Sequence, residues 1–164
     1  MKTLYLLRHA KSSWQDPGLQ DFDRPLNGRG KEAAPLVGRY IANSKLRVDL
    51  LICSPAERAR RTAALVKESA KLNAETLYDE RIYEADAARL VEVVSQAGES
   101  ADALMLVGHN PGMEELLTLL TGEERRMPTA ALACLTLDAE KWGKVRESAG
   151  RLEWLVCPKD LSED

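Results

Sequence analysis

Cysteine is scarce in this chain, and the three present, Cys53, Cys134 and Cys157, are an odd number with no C-x-x-C spacing. That pattern offers neither a disulfide framework nor a thiolate zinc site, so a reducing, cytoplasmic home is expected. Histidine is scarcer still. His9 and His109 are the only two, with no H-x-x-x-H spacing and no flanking aspartate cluster, so a zinc or two-metal hydrolase is not expected and no metal or other cofactor is called for. A basic excess is also missing. The net charge is −3 and the pI near 5.5, which argues against nucleic acid as a partner, because such domains carry clustered cations that neutralise phosphates. Long apolar runs are absent too: the stretch before Arg8 is too short for a signal-peptide core or a membrane span, so no membrane association is expected. No Walker loop or dinucleotide fingerprint occurs, since "NGRG" (27–30) lacks both the glycine spacing and a following Lys-Ser/Thr.

What is present is enough for one α/β domain. Of 164 residues, 45% are apolar and 30% charged, and the chain is expected to form a single domain over 1–158 followed by a solvated tail, 159–164. Three apolar runs read as buried strands, "TLYLL" (3–7), "DLLIC" (49–53) and "ALMLV" (103–107), each followed by a polar turn and a helical stretch. The first helix, in 27–44, places Ala33, Val37, Tyr40 and Ile41 on one face, with Pro35 expected to kink it or shift its start. The second lies in 54–72. In "HNPGMEELLTLLTG", Asn110 is the expected N-cap, Pro111 the first helical residue and Gly122 the C-terminal cap. A further amphipathic helix is expected at 86–97, then strands at 132–137 and 152–157 joined through Trp142. This alternation predicts a three-layer α/β sandwich, a mostly parallel central sheet flanked by helices.

In such sheets ligands bind beyond the carboxyl ends of the strands, where strand order reverses. Three strand ends carry unusual residues: Arg8-His9, Ser54-Pro55 leading to Arg58, and Gly108-His109-Asn110. A lone histidine here is most often a hydrogen-bonded structural residue. Two at equivalent ends, beside arginine and at a helix start, point instead to a shared site. Arg58 falls in the first turn of its helix, where the macrodipole disfavours a cation by roughly 0.3–1 kcal/mol. A cation there makes sense if an anion sits there too, and Arg8 with Arg58 would clamp one phosphoryl group through charge-assisted bonds. Arg60 and Arg61 read as solvated surface, because one helix cannot aim all three arginines at one point.

At these residues the chain resembles the histidine phosphatases of the phosphoglycerate mutase-like superfamily. The Arg-His-Gly motif appears as Arg8-His9-Ala10, the "SPLxRAxxTA" segment as residues 54–63, and "VGHNP" carries His109. "RHAKSSW", "DRPLNGRG" (23–30), "VGHNPG" and "MPTAALA" (127–133) resemble the SixA-type phosphohistidine phosphatase branch. The resemblance implies that neutral His9 attacks phosphorus in line, forming a phosphohistidine that water hydrolyses. Arg8, Arg58 and a protonated His109 would stabilise the equatorial oxygens, and protonating His109 beside two arginines would require a carboxylate or carbonyl acceptor that the sequence does not identify. Arg24 is a candidate substrate contact or else pairs with Asp21 or Asp23 in its loop, and Gln15 lies where the mutase branch carries a phosphate-binding asparagine.

Mutases and phosphomonoesterases of this superfamily need a carboxylic acid to protonate an alkoxide leaving group. "DERIYEA" (79–85) resembles the segment supplying it, which makes Glu80 the candidate general acid and Glu84 a second, with a surface charge beside Tyr83 as the plain reading. Phosphohistidine needs that acid less. Ala10 and Lys11 depart from the mutase pattern, so the expected substrate is phosphohistidine on a protein partner, and the alternative is a small-molecule phosphomonoesterase or mutase using Glu80. Short connections apart from 11–26 imply an open site. A cysteine phosphatase is excluded, because Cys53 and Arg58 are separated by four residues rather than five. A phosphate-recognition module without turnover would have lost its nucleophile, and His9 is present.

Overall fold

The computed structural model describes residues 1–145 and 149–161. Six strands form one sheet: β1 (Lys2–Arg8), β2 (Leu50–Cys53), β3 (Glu75–Tyr78), β4 (Ala103–Gly108), β5 (Leu132–Leu137) and β6 (Gly150–Val156), in the order β3-β2-β4-β1-β5-β6. The pairs β3–β2, β2–β4 and β4–β1 are parallel, while β5 runs antiparallel to both β1 and β6. The expected mostly parallel sheet flanked by helices is therefore present. β3 is an addition to the strands read from sequence: "ETLY" is an exposed edge with no apolar run to mark it.

The period of two in a strand sorts side chains onto two faces. Leu4, Leu6, Leu104 and Leu106 pack on one face under helices α3 (Ala87–Ser95) and α4 (Gly112–Thr121). Tyr5, Leu7, Met105 and Val107 pack on the other, under α1 (Gly28–Asn43) and α2 (Glu57–Ala70). Each fully buried leucine contributes roughly 1.5–3 kcal/mol, so the four central strands are held from both sides. The connection leaving β1 crosses to β2 over one face, and the one leaving β4 runs to β5 over the other. The adjacent ends of β1 and β4 are thus a topological switch point.

Several local expectations are corrected. Asn110 does not cap α4: Pro111 occupies the cap position after a cis peptide bond, and the Asn110 amide instead donates to Glu114 Oε2 and the Met127 carbonyl. Gly122 does close the helix, at φ 78°. α1 does not start late, since it runs from Gly28 through Pro35; Asn27 Oδ1 caps it by accepting the Gly30 N–H, and its buried apolar stripe is Ala34, Val37 and Ile41, with Ala33 and Tyr40 at the margin. Residues 159–161 of the expected tail join Pro158 in a helical turn, α5 (Pro158–Leu161), whose Leu161 packs on the α1 side of the core. The rest of that tail, 162–164, lies outside the described residues.

Candidate active site

Parallel register brings the two histidine-bearing strand ends level. Arg8 pairs with Gly108 across β1 and β4, and the His9 N–H donates to the Gly108 carbonyl at 3.0 Å. The next residues on each strand, His9 and His109, then meet with ring centroids 5.1 Å apart. The first turn of α2 is tied to the same backbone. Thr62 Oγ1 accepts the Ala10 N–H at 2.9 Å and donates to the Arg58 carbonyl at 2.7 Å, so the threonine of the 54–63 segment fixes Arg58 relative to His9.

The His9 ring has its tautomer set by a backbone acceptor. Nδ1 lies 2.7 Å from the Ala10 carbonyl oxygen, which can only accept. Nδ1 therefore carries the proton and Nε2 keeps a free lone pair, the form a nitrogen nucleophile needs. Burial, and then the charges of Arg58, Arg8 and Arg24, lower the His9 pKa to about 4, against the pull of the Ala10 bond, so the ring is neutral at pH 7.

Arg58 answers the electrostatic puzzle of its position. It is buried in the first turn of α2, and the anion opposite it belongs to the protein: Arg58 Nη2 donates to Asp21 Oδ2 at 3.0 Å and Nη1 to the Asp21 carbonyl at 2.7 Å. Asp21 comes from a short 3-10 turn, Asp21–Asp23, in the 11–26 loop. Its carboxylate also accepts from Tyr83 Oη at 2.6 Å and from Arg24 Nε at 3.2 Å. Tyr83 first, then Arg58 and Arg24, hold the Asp21 pKa down at about 2 even though partial burial opposes them. The sequence marks Asp21 only as a loop partner for Arg24, because nothing in a primary structure shows that the loop folds back onto α2.

The remaining candidates fall into two groups. Arg8 donates to the Met127 carbonyl at 3.0 Å and stands close enough to His9 and His109 to lower both their pKa values. Arg24 is buried, bonds Ser12 Oγ at 2.7 Å, and lies 3.5 Å over the Trp14 ring, so its loop pairing with Asp21 is present. Glu80, in the 3-10 turn Glu80–Ile82, is exposed and makes no side-chain hydrogen bond among the described residues; Glu84 is exposed with φ 58°. Gln15 is exposed in its loop. From the 79–85 segment it is Tyr83 that reaches the site, edge-on to His109 with centroids 5.5 Å apart. Arg60 lies on the Tyr78 ring, away from this cluster, and Arg61 is exposed.

His109 differs from expectation. Its Nε2 lies 2.7 Å from the Ser54 hydroxyl rather than from a carboxylate or carbonyl. Burial first, then His9 and the arginines, lower its pKa to about 3, with Asp21 only partly opposing, so the ring is neutral rather than protonated in the free protein. Four buried side-chain N or O atoms among the described residues have no hydrogen-bond partner, and three are Arg8 Nε, Arg58 Nε and His109 Nδ1. Buried polar atoms are ordinarily paired, so three orphans on the side chains whose charge or ring bears on His9 suit an anion. No group of three or more His, Cys, Asp or Glu side chains among the described residues could hold a metal.

Comparison with known proteins bears on the family and the fold. The histidine phosphatase superfamily (branch 1) model matches residues 4–103. An uncharacterized protein of Mycobacterium tuberculosis (strain ATCC 25618 / H37Rv) is 32% identical over 164 residues, spanning 93% of this chain and 100% of that protein. An Agrobacterium tumefaciens structure, provisionally named phosphohistidine phosphatase SixA, superposes with a TM-score of 0.82 at 30% identity, over 96% of this chain and 98% of that one. The tungstate complex of the protein histidine phosphatase SixA shares the fold, with a TM-score of 0.85 at 21% identity over 98% and 99% of the two chains. With the family model covering more than half of its length, this chain belongs to the histidine phosphatase superfamily, branch 1.

Proposed function

We propose that this protein is a metal-independent phosphatase that hydrolyses phosphohistidine on a protein, with His9 as nucleophile. The observation that carries the reading is the set of three unpartnered buried atoms, Arg8 Nε, Arg58 Nε and His109 Nδ1, around a histidine whose Nε2 is bare and whose pKa is low. In the first step His9 Nε2 attacks phosphorus in line, an Nε2–P bond forms, and the bond to the leaving nitrogen breaks. The leaving ring, protonated from solvent on its other nitrogen before the bond breaks, departs as neutral imidazole. Water then attacks the phosphohistidine, the Nε2–P bond breaks, and inorganic phosphate leaves with His9 neutral again. Arg8, Arg58 and His109 offer preorganised donors to the equatorial oxygens, where charge spreads in the transition state.

The substrate class follows from the acids available. An alkoxide leaving group requires a proton donor, and the carboxylate nearest the cations, Asp21, is held ionised by Tyr83, Arg58 and Arg24. Glu80 is exposed and unanchored. A site short of a carboxylic acid favours a leaving group far less basic than an alkoxide, and the imidazole of phosphohistidine is one. Three buried free thiols suit a reducing compartment such as the cytoplasm, and no described helix is long and apolar enough to cross a membrane.

The test is brief mixing with a radiolabelled phosphohistidine peptide followed by quenching. The expected product is protein-bound phosphate that is acid-labile and base-stable, and absent in His9→Ala. Labelling that persists in His9→Ala removes His9 as the nucleophile. Glu80→Gln, compared on aryl phosphate, alkyl phosphate and phosphohistidine peptide, decides the substrate class. No loss on any of the three is expected, whereas loss confined to the alkyl ester, together with alkyl turnover exceeding peptide turnover, makes the protein a small-molecule phosphomonoesterase.

A further inference from the structure

The fully buried hydroxyl of Ser54 has two hydrogen-bond neighbours among the described residues, and they are not equivalent. The Ala56 backbone N–H, 3.2 Å away, can only donate, so it uses a lone pair of Oγ. The hydroxyl hydrogen is left for the other neighbour, His109 Nε2, at 2.7 Å. An imidazole nitrogen that accepts carries no proton, so a neutral ring must carry its proton on Nδ1. His109 Nδ1 is one of the three unpartnered buried atoms around His9. Placing the proton on Nε2 instead would strand the Ser54 hydrogen without an acceptor and turn a bare lone pair toward the oxygens of an incoming phosphoryl group. The stranded hydroxyl alone disfavours that arrangement by roughly fivefold to a hundredfold.

We infer that Ser54 is a positioning residue that holds His109 in its neutral Nδ1–H tautomer, so that His109 donates to the phosphoryl group without first being protonated. The donation to phosphate rests on the proposed phosphatase reading; the tautomer does not. This resolves the difficulty of charging a histidine between arginines. The ring supplies a donor while remaining neutral, and Ser54 takes the part that a carboxylate partner plays in a histidine held as a cation. Ser54 is anchored by the turn into α2, and β2 and β4 are parallel neighbours, with Cys53 opposite Val107 and the Ser54 N–H donating to the Val107 carbonyl at 3.0 Å. The backbone therefore fixes the hydroxyl and the ring relative to each other.

The decisive measurement is the imidazole nitrogen spectrum of the ¹⁵N-labelled protein, without substrate, near pH 7. With two histidines in the chain, the His9→Ala spectrum assigns His109. The expected result is a protonated Nδ1 and an unprotonated Nε2 at His109. An Nε2–H tautomer or a doubly protonated ring in the wild-type protein overturns the inference, whether or not the protein turns over phosphohistidine. In Ser54→Ala, the His109 signals are expected to shift to a tautomer mixture. kcat on an aryl phosphate is expected to fall roughly tenfold with KM changed less, short of the 10²–10³ lost when a transition-state donor is removed outright. A folded Ser54→Ala that keeps the pure Nδ1–H form at His109 overturns it equally. If that variant does not fold, the wild-type spectrum decides alone.

Discussion

Asp21 Oδ2 lies 3.0 Å from Arg58 Nη2, and the backbone carbonyl of the same aspartate lies 2.7 Å from Arg58 Nη1. One loop residue thereby grips both ends of a guanidinium fork on α2, leaving the buried Nε without a partner. This two-point hold requires a planar, forked cation, which lysine cannot replace.

Arg58→Lys is accordingly expected to lower kcat/KM by about a hundredfold, within the range for losing a preorganised donor. Arg60→Lys, a neighbouring arginine that lies 4.7 Å from the Tyr78 ring centroid, is expected to stay close to wild type. Steady-state kinetics on an aryl phosphate compares the two. Equal losses would show that helix charge in general, rather than this fork, matters.

Tyr83→Phe keeps the ring against His109 but deletes the 2.6 Å bond to Asp21, the largest influence holding that carboxyl down. The Asp21 pKa is expected to rise from about 2 toward its ordinary 3.8, followed by ¹³C NMR titration of the carboxyl. The consequence for stability has a definite sign. A carboxyl depressed in the folded state contributes stability that is present above about pH 4 and lost as pH falls toward 2. Tyr83→Phe should weaken that acid dependence. Its amplitude stays below about 1 kcal/mol, since the Asp21 side chain is nearly half exposed.

The two histidines carry a larger pH effect. Both are neutral when folded, with pKa values of about 4 for His9 and about 3 for His109, against 6.5 ordinarily. Between pH 6.5 and 4 the unfolded chain binds more protons than the native one, so stability is highest above pH 6.5 and falls as the solution is acidified. The loss is on the order of 3 kcal/mol for one such ring. Urea unfolding at pH 7 and pH 4.5 should show this difference in the wild-type protein and a much smaller one in the His9→Ala/His109→Ala double variant. An unchanged difference would place its origin elsewhere.

Gly30 is expected to be intolerant of a side chain. A Cβ there would lie 2.2 Å from the Lys11 carbonyl oxygen, a backbone atom two residues past His9 that also accepts the Asn27 N–H. Gly30→Ala should destabilise the protein by about 1–3 kcal/mol and reduce kcat as well, because the displaced backbone carries the nucleophile. Gly98→Ala, where a Cβ meets no atom within 4 Å, is the control for thermal melting.

The strands most readily found in the sequence were those buried on both faces. β1, β2 and β4 are short apolar runs because helices cover them above and below, and an unbroken run is the imprint of that burial. β3 left no such imprint, since an edge strand with exposed Leu77 and Tyr78 needs only backbone pairing with β2. Gly122 is legible as a cap because glycine tolerates the φ of 78° it adopts, whereas nothing local marks Asn110 as the residue whose amide turns to Glu114 one helical turn on and to the distant Met127 carbonyl.

The same division runs through the candidate site. His9, Arg58 and His109 could be read from the chain because each stands at the end of a recognisable strand or the start of a helix, where local rules already say what is unusual. What Asp21, Tyr83, Thr62 and Ser54 do to these residues could not. Each acts by a hydrogen bond to a residue on another element, and for Asp21 and Arg58 the two are 37 positions apart. Local periodicity determines which residues stand at the ends of elements. The Ala10 carbonyl that sets the His9 tautomer is a sequence neighbour, but the tautomer of His109 and the ionisation of Asp21 depend on Ser54, Arg58 and Tyr83, which only strand register and loop closure bring within 3 Å, because hydrogen bonds and buried charges act through space rather than along the chain.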